Sequence, residues 1–172
     1  RYINLFDQAP HKLPSVSFDP VWPSPCDKHH DDSGLVHWKP VERCNFDLFK
    51  NLEQSLEIKF HEDIKHFYGG FWSNGIAVDR EDINFNLIQI WNEEDQTQLM
   101  ENILGHAFAK IKAKLPLSYF IGCTHGNEVI CLEHESGHVV LEKPGRKAHR
   151  SLSDSLDAFL ISLNPTIDAY TP

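Results

Sequence analysis

The sequence predicts a single α+β domain over residues 1–172, with a mostly antiparallel sheet, helices packed on one face of it and an open concave surface. Its 172 residues, 41% of them apolar, are enough for one well-buried core and too few for two. Strand patterns fall in successive hairpins flanked by helical patterns, without the regular strand–helix alternation of a parallel sheet.

Six prolines predict that residues 10–40 form an ordered loop, because proline removes an amide donor and holds the preceding residue extended. Aromatic and aliphatic residues between them supply enough apolar surface for this loop to pack onto the domain. Within it, we expect a strand over residues 35–40. The prolines are Pro10, Pro14, Pro20, Pro23, Pro25 and Pro40.

Apolar residues three or four positions apart predict an amphipathic helix from the candidate N-cap Asn45 to Gly69 and Gly70. Because this is long for a helix in a globular domain, a break between Ile58 and His61 into two helices stays open. The apolar positions are Leu48, Phe49, Leu52, Leu56, Phe60, Ile64 and Phe67.

The alternation of Ile83, Phe85 and Leu87 predicts a central strand over residues 83–91. Ile88 and Ile90 shift the alternation by one residue, which indicates either a β-bulge or burial of both faces.

Residues 92–115 carry the clearest helix signals. Asn92 is a candidate N-cap, three acidic residues follow it where the helix dipole favours negative charge, and Pro116 ends the helix. The predicted buried stripe is Leu99, Ile103, Ala107 and Ile111.

Strand patterns over residues 117–123, 128–132 and 138–141 are separated by turn residues and predict an antiparallel meander. A basic stretch, residues 143–150, precedes a last helix that we expect to enter at Ser151 or Ser153 and to end before Pro165. Its apolar face is Leu152, Leu156, Phe159, Leu160 and Leu163.

The net charge of −9 is concentrated in residues 1–100, which hold 9 Lys+Arg and 17 Asp+Glu, against 7 and 8 in the remainder. An acidic surface repels phosphate, so nucleic acid and anionic lipid are poor partners except at a local basic patch such as residues 143–150. A basic protein surface is a good partner, and the cytoplasmic loops of bacterial membrane proteins offer one. Solubility alone also explains the acidity.

Four cysteines, with spacings of neither a zinc ribbon nor a disulfide framework, favour a reduced cytoplasmic protein. Cys26 is expected to pack in the interior, because only Lys28 is nearby to lower its pKa. Cys123 and Cys131 fall on neighbouring predicted strands and are expected to remain two thiols. The fourth cysteine is Cys44.

Two groups of residues are candidates for a metal site, and we expect neither to bind a metal. The run from His29 to Asp32 lies in a polar loop without fixed geometry, and turn residues separate His134 from His138. No nucleophile, phosphate-loop or zinc-protease motif is present. We therefore expect no catalytic residue, no cofactor and no enzymatic activity.

Two acidic clusters flank the predicted strand 83–91 and form the candidate partner-binding surface. At about 3.3 Å per residue they would lie roughly 25 to 30 Å apart, bordering a broad acidic face rather than a pocket. A turn and a dipole-complementing first helical turn also explain them. The residues are Asp79, Glu81, Asp82, Glu93, Glu94 and Asp95.

Several short motifs occur together in one known family. They are Pro23-Ser24-Pro25-Cys26, His37-Trp38-Lys39-Pro40, Gln89-Ile90-Trp91, Glu101-Asn102 with Gly105-His106, and Lys114-Leu115-Pro116. In this order they resemble the Syd family of bacterial SecY-interacting proteins, which is similar to the superfamily that includes many toxin-immunity proteins. The resemblance covers nearly the whole chain. The chain opens at Arg1 inside what looks like the family's first helix, so we expect a short N-terminal piece before it.

The resemblance implies a monomeric binding protein at the cytoplasmic side of the bacterial inner membrane, with a soluble cytoplasmic pool. Its implied partner is the set of basic cytoplasmic loops of SecY, through which it would associate with the membrane indirectly. Its implied role is to sense uncomplexed SecY or to restrain translocation. The alternatives are an immunity-type module that binds a basic toxin domain, and an unrecognised hydrolase.

We predict that thermal unfolding is insensitive to chelator and to reductant, because the core suffices without a metal or a disulfide. Melting curves with and without EDTA or dithiothreitol should coincide. A fall in midpoint of more than about 4 °C with either reagent, worth about 1 to 2 kcal/mol, contradicts this prediction.

Overall fold

A computed structural model describes residues 1–7 and 12–167 of the chain, so Pro10 lies outside the described residues. A short 3-10 helix, Tyr2–Phe6, comes first. The remaining elements in chain order are β1 (Ser15–Ser17), β2 (Asp27–His30), β3 (Leu35–Trp38), β4 (Val41–Glu42), α1 (Lys50–Leu56), α2 (Glu62–Gly69), β5 (Phe71–Trp72), β6 (Ile76–Arg80), β7 (Ile83–Leu87), α3 (Glu93–Lys112), β8 (Ser118–Thr124), β9 (Val129–Glu133), β10 (Val139–Glu142), β11 (Arg150–Ser153), α4 (Leu156–Ser162) and β12 (Asn164–Pro165).

The main sheet is curled and antiparallel, with the strand order β11-β10-β9-β8-β7-β6-β12. A three-stranded sheet, β1-β3-β2, and the pair β4-β5 complete the strand pairing of the described residues. All of these pairings are antiparallel. The predicted α+β class with a mostly antiparallel sheet is confirmed.

Helices, and the segment between α1 and α2, contact the main sheet through side chains that alternate along its strands. Tyr119 of β8 contacts Phe60, with ring centroids 4.5 Å apart, and Phe85 of β7 stacks on Phe159 of α4 at 5.8 Å. Ser118 is adjacent to Tyr119 and therefore points to the opposite face, where it contacts His106 of α3 at 3.2 Å. The structure thus adds that α3 reaches the face away from the Tyr119 core.

The proline-rich segment forms more strand than predicted. The expected strand at residues 35–40 is confirmed as β3, but the loop prediction is wrong at β1 and β2, which pair with β3 on either side. The described prolines of this segment lie outside the three strands, so none removes a ladder hydrogen bond. The described prolines therefore precede β1, lie in the connection between β1 and β2, or follow β3.

Residues 45–70 form two helices, as the alternative allowed, with the break at residues 57–61. Glu57, in the left-handed region at φ 55°, ends α1, and His61 caps α2 by accepting from the Asp63 N–H. The prediction that Asn45 caps the first helix is wrong, because α1 begins at Lys50. Its N–H donates to the Gly69 carbonyl, and its own carbonyl oxygen lies 2.4 Å from where a Cβ on Gly69 would be, so it packs against the end of α2.

The strand predicted over residues 83–91 is an interior strand as expected, but it ends at Leu87. Beyond it, the Ile88 N–H donates to the Ile121 carbonyl and the Ile90 carbonyl accepts from Ser73. Residues 88–90 thus bond outside the β7 ladder, at the point where the alternation shifts. Its partner β6 was not predicted from the sequence.

Helix α3 begins as predicted, because the Asn92 side chain accepts from the Asp95 N–H at 2.8 Å. It ends at Lys112, where Lys114 adopts φ 54° and the Leu115 N–H donates to the Lys110 carbonyl, so the boundary at Leu115 is wrong.

Three residues of the predicted α3 stripe are buried, but Ile111 is 48% exposed and Lys110 is 1% exposed in its place. At about 100° per residue, position 110 lies about 20° from position 99 around the helix, whereas position 111 lies about 120° away. Helix geometry selects position 110, although lysine is the less apolar residue.

The meander of β8, β9 and β10 is confirmed within one residue at each boundary. The predicted start of the last helix is wrong, because Arg150–Ser153 is strand β11 and the cap is Ser155, whose hydroxyl accepts from the Ala158 N–H at 3.2 Å. Leu152 is buried in the strand, as it would be in the predicted helix, so its burial does not distinguish the two structures.

None of the helices in the described part of the chain combines the length and apolar character needed to span a bilayer.

We predict that Ile103→Ala lowers the free energy of unfolding by about 2 to 5 kcal/mol, because the side chain is 1% exposed in the core. Ile111→Ala is the matched control, with an expected loss under about 1 kcal/mol. Urea denaturation of both variants measures the difference. Similar losses for the two would show that the wrong face of α3 has been assigned to the core.

Candidate functional site

A cavity of about 680 Å³ lies between the three-stranded sheet and the main sheet. Its walls come from β1 and β3 on one side and from β6, β7 and the residues after β7 on the other. Five aromatic side chains line it. They are Tyr2, Phe18, Trp22, Trp38 and Trp91.

Three carboxylates line the same cavity: Asp19, Asp27 and Asp95. Within the described part of the chain, no lysine or arginine contributes to the lining. One oxygen of Asp27, Oδ1, is buried and has no hydrogen-bond donor among residues 1–7 and 12–167. We call this site the acidic cavity. It can accept hydrogen bonds from a cationic group held against aromatic rings.

Asp95 belongs both to the start of α3 and to the wall of the acidic cavity. Its Oδ2 accepts from the Trp91 N–H at 2.7 Å. Burial raises the pKa of Asp95 above its ordinary value, and the hydrogen bond from Trp91 only partly opposes this. A cation in the cavity would therefore stabilise the ionised form.

The Pro23-Ser24-Pro25-Cys26 motif holds the cavity together. The Ser24 hydroxyl donates to the Trp91 carbonyl at 2.6 Å, and the Asn92 side chain donates to the Pro23 carbonyl at 3.0 Å. Cys26 is fully buried, and burial raises the pKa of its thiol, so the predicted packing role is confirmed. The motif clamps the proline-rich segment onto the start of α3.

The structure separates the two acidic clusters predicted from the sequence. Asp95 lines the acidic cavity, and Glu93 and Glu94 are exposed in the same helical turn. The cluster of Asp79, Glu81 and Asp82 lies at the β6–β7 turn and contributes nothing to the cavity lining.

Arg150 of β11 binds this second cluster. Its guanidinium donates to both carboxylate oxygens of Asp82, at 2.8 and 3.0 Å, and to Glu81 at 3.2 Å. The hydrogen bond from Arg150 lowers the pKa of Asp82. Asp79 accepts from the Asn84 side chain at 2.8 Å. An arginine of the chain itself therefore already partners the turn cluster.

Sequence reasoning did not find Asp19 and Asp27, nor the role of the aromatic residues. The pattern of the proline-rich segment predicts packing for its aromatic residues, and the acidic residues between them, Asp19 and Asp27, are the available signal of a site. Only the contact between this segment and α3 reveals the site.

The described residues contain one group of metal-ligand side chains close enough to share an ion, namely His106, Cys131 and Glu142, with ligand atoms within 4.8 Å of one another. The Lys110 ammonium lies 2.7 Å from Glu142 Oε2, and Ser118 Oγ lies 3.1 Å from Glu142 Oε1. Lys110 already supplies the positive charge that the Glu142 carboxylate requires. We therefore interpret the cluster as a structural ion pair between α3 and the sheet.

The pKa of Glu142 reflects two opposing effects. Burial raises it, but hydrogen bonds from His106 and Lys110 together with their charges outweigh burial and hold the pKa below its ordinary value. Cys131 lies beside this pair, and burial raises the pKa of its thiol well above the ordinary range. The cluster holds an ionised carboxylate and an unreactive thiol.

The histidine groups of the sequence have structural partners. Asp31 accepts from Ser33, Leu35 and His37 at 2.6 to 3.1 Å and so organises the β2–β3 turn. His134 Nδ1 lies 2.5 Å from the Tyr119 hydroxyl.

A family model described as Syd protein (SUKH-2) matches residues 1–165. The chain is 42% identical over 149 residues to a protein named Protein Syd from Hahella chejuensis, covering 86% of this chain and 78% of that protein. It is 33% identical over 156 residues to Protein Syd of Pseudoalteromonas atlantica, covering 88% and 84%. A third Protein Syd, from Psychromonas ingrahamii, is 35% identical over 156 residues, covering 90% and 85%.

We predict that Glu142→Gln costs about 3 to 5 kcal/mol of unfolding free energy near neutral pH, because it leaves the Lys110 ammonium buried without its counter-charge. The folded-state pKa of Glu142 is lowered, so its ionised form contributes stability above the ordinary glutamate pKa, and this contribution is lost as pH falls through the folded-state value. The difference between wild type and variant should therefore narrow below about pH 4. Urea denaturation across pH measures it.

The control is the double variant Lys110→Met/Glu142→Leu, which removes both charges and should recover most of the loss. A Glu142→Gln variant as stable as wild type near neutral pH would show that the pair does not hold α3 to the sheet.

Proposed function

Because the chain belongs to the Syd family, we propose that it is a non-enzymatic protein that binds the basic cytoplasmic loops of SecY. The acidic cavity, together with Glu93 and Glu94, is the proposed binding surface. In this proposal the protein is a monomer, lies peripherally at the cytoplasmic side of the inner membrane and needs no metal or cofactor.

One observation carries the proposal, namely a cavity lined by three carboxylates and five aromatic rings, with no lysine or arginine contributed by the described residues. Cytoplasmic loops of bacterial membrane proteins are enriched in lysine and arginine. Such side chains match the cavity in charge, and a cation is stabilised by a carboxylate and by the face of an aromatic ring at the same time.

The geometry also indicates how a basic side chain would be held. The Asp27 carboxylate lines the cavity, and the half-buried Trp91, whose ring meets that of Trp38 edge to face at 5.7 Å, offers ring surface. A cation over an aromatic ring contributes roughly 0.5 to 2 kcal/mol, depending on how far it is desolvated. Exposed ion pairs with Glu93 or Glu94 contribute about 0 to 1 kcal/mol each. Binding would therefore rest on several weak contacts acting together.

The proposed role follows from mass action. A protein that prefers one state of SecY shifts the population toward that state by no more than its differential affinity. Preference for uncomplexed SecY would make the protein a sensor of incomplete assembly or a restraint on translocation.

An immunity-type module that binds a basic toxin domain uses the same acidic chemistry and is the second candidate. Capture from solubilised inner membrane, set against a panel of basic toxin domains, separates the two. A hydrolase would instead show turnover.

We predict that reversing the charges beside the cavity, in Asp19/Glu93/Glu94→Lys, weakens SecY binding severalfold or more. All three residues are exposed, so folding should be retained. Asp79/Glu81/Asp82→Lys should have a smaller effect, because Arg150 already binds that cluster. Titration of SecY in nanodiscs measures the affinity of both variants.

SecY binding should also weaken as salt rises from about 0.05 to 0.5 M, since the Debye length falls from roughly 14 to 4 Å.

The matched control is Glu57/Glu135/Asp154→Lys, which changes the net charge by the same amount at exposed positions away from the cavity lining. If this control weakens binding as much as the cavity variant, net charge rather than the cavity decides affinity. If all three variants bind SecY as tightly as wild type does, and salt does not weaken binding, the charge mechanism is overturned.

A further inference from the structure

Five exposed cationic residues surround the C-terminal end of α3. They are Lys112, Lys114, Lys143, Arg146 and Lys147. The buried Lys110 joins the two segments that carry them, because its ammonium donates to the Arg146 carbonyl at 2.9 Å as well as to Glu142. The end of α3 and the turn after β10 therefore form one surface.

Two turns hold these charges in place. The Arg146 N–H donates to the Lys143 carbonyl at 2.9 Å, with Pro144 at the second position and Gly145 at φ +70°, which is a type II turn. Lys114 adopts the left-handed conformation that ends α3, and the Lys114 and Leu115 N–H groups donate to carbonyls of the last helical turn. The cationic residues therefore lie on or next to two hydrogen-bonded turns.

Apolar side chains lie beside them. Phe108 is 54% exposed and Ile111 is 48% exposed. Phe108, Ile111 and Lys112 are spaced i, i+3 and i+4, so they share one side of the helix end. Leu115 follows just after the turn that ends α3. Aromatic and aliphatic groups next to lysines are typical of a surface that enters the interface of a bilayer.

None of the five cations lies within ion-pair distance of a carboxylate from residues 1–7 and 12–167. Arg150, Arg80 and Lys65, in contrast, each have acidic partners. The basic surface is therefore not neutralised by the described part of the chain. We call these five cations with Phe108, Ile111 and Leu115 the basic end of α3.

We propose that the basic end of α3 docks directly on an anionic lipid bilayer. The net charge of −9 disfavours this at long range. However, the Debye length is about 8 Å at physiological salt, so close to the surface the local charges decide. Exposed Phe108 and Ile111 favour a bilayer over nucleic acid, which offers phosphates but little apolar surface. This contact goes beyond the proposed SecY binding and is testable without SecY.

The test is flotation of the protein with vesicles of phosphatidylcholine, with and without about 30% phosphatidylglycerol, at about 0.05 and 0.5 M salt. We expect binding to the anionic vesicles only, weakened by salt. Lys143/Arg146/Lys147→Glu should reduce the bound fraction about tenfold or more, and Phe108→Ser/Ile111→Ser several-fold.

Two controls match these variants. Lys28/Lys50/Lys59→Glu makes the same charge change at exposed positions elsewhere, and Val21→Ser/Ile161→Ser removes exposed apolar groups elsewhere. Both should bind vesicles like wild type. Equal binding to both vesicle types, or equal losses in variants and controls, would overturn the proposal.

Two further outcomes would also overturn it. Light scattering could show that wild type is a dimer that Phe108→Ser/Ile111→Ser dissociates, while vesicle binding is unchanged; the surface would then be a contact with a second copy. Alternatively, a short DNA duplex could bind through the lysines regardless of Phe108 and Ile111, which would indicate nucleic acid instead.

Discussion

The position of α3 depends on the buried ion pair between Lys110 and Glu142. Lysine and glutamate are almost never fully buried unless paired, and here both are 1% exposed. The pair joins the helix to β10, and the Arg146 carbonyl ties the following turn to the same ammonium. Because desolvating two charges costs several kcal/mol per ion, this contact is tolerated only with its hydrogen bonds complete. It fixes where the C-terminal end of α3 lies, while the hydrogen bond from Asn92 to the Pro23 carbonyl holds the start.

The two ends of α3 then carry opposite chemistry. Its start contributes Asp95 to the acidic cavity and exposes Glu93 and Glu94, whereas its end exposes lysines beside Phe108 and Ile111. Acidic residues at the start and basic residues at the end also stabilise the helix through its dipole, so the same charges serve folding and binding. A protein that binds basic loops at an anionic membrane would need this separation, since each surface is repelled by the other's partner.

Local patterns were sufficient for much of the fold. The start of α3 and the meander β8–β10 were predicted closely, because capping residues, turn residues and periodicity are all local and agreed with one another. Ambiguity remained where a pattern fitted two structures. Leu152 is buried in a strand rather than in the predicted helix. Hydrophobicity predicts Ile111 in the core instead of Lys110, because it does not report a buried counter-charge such as Glu142.

The sequence by itself determined the class of fold, the acidic balance of the first hundred residues and the motifs of one family. Only the tertiary structure decided where the site lies. It brings Asp27 and Asp95 to one cavity through the Ser24–Trp91 hydrogen bond, and it places Arg150 on Asp82, so that two similar acidic clusters differ in their freedom to bind. The physical reason is that pattern and propensity report the burial of neighbouring residues, whereas charge pairing and cavity walls depend on packing between segments far apart in the chain.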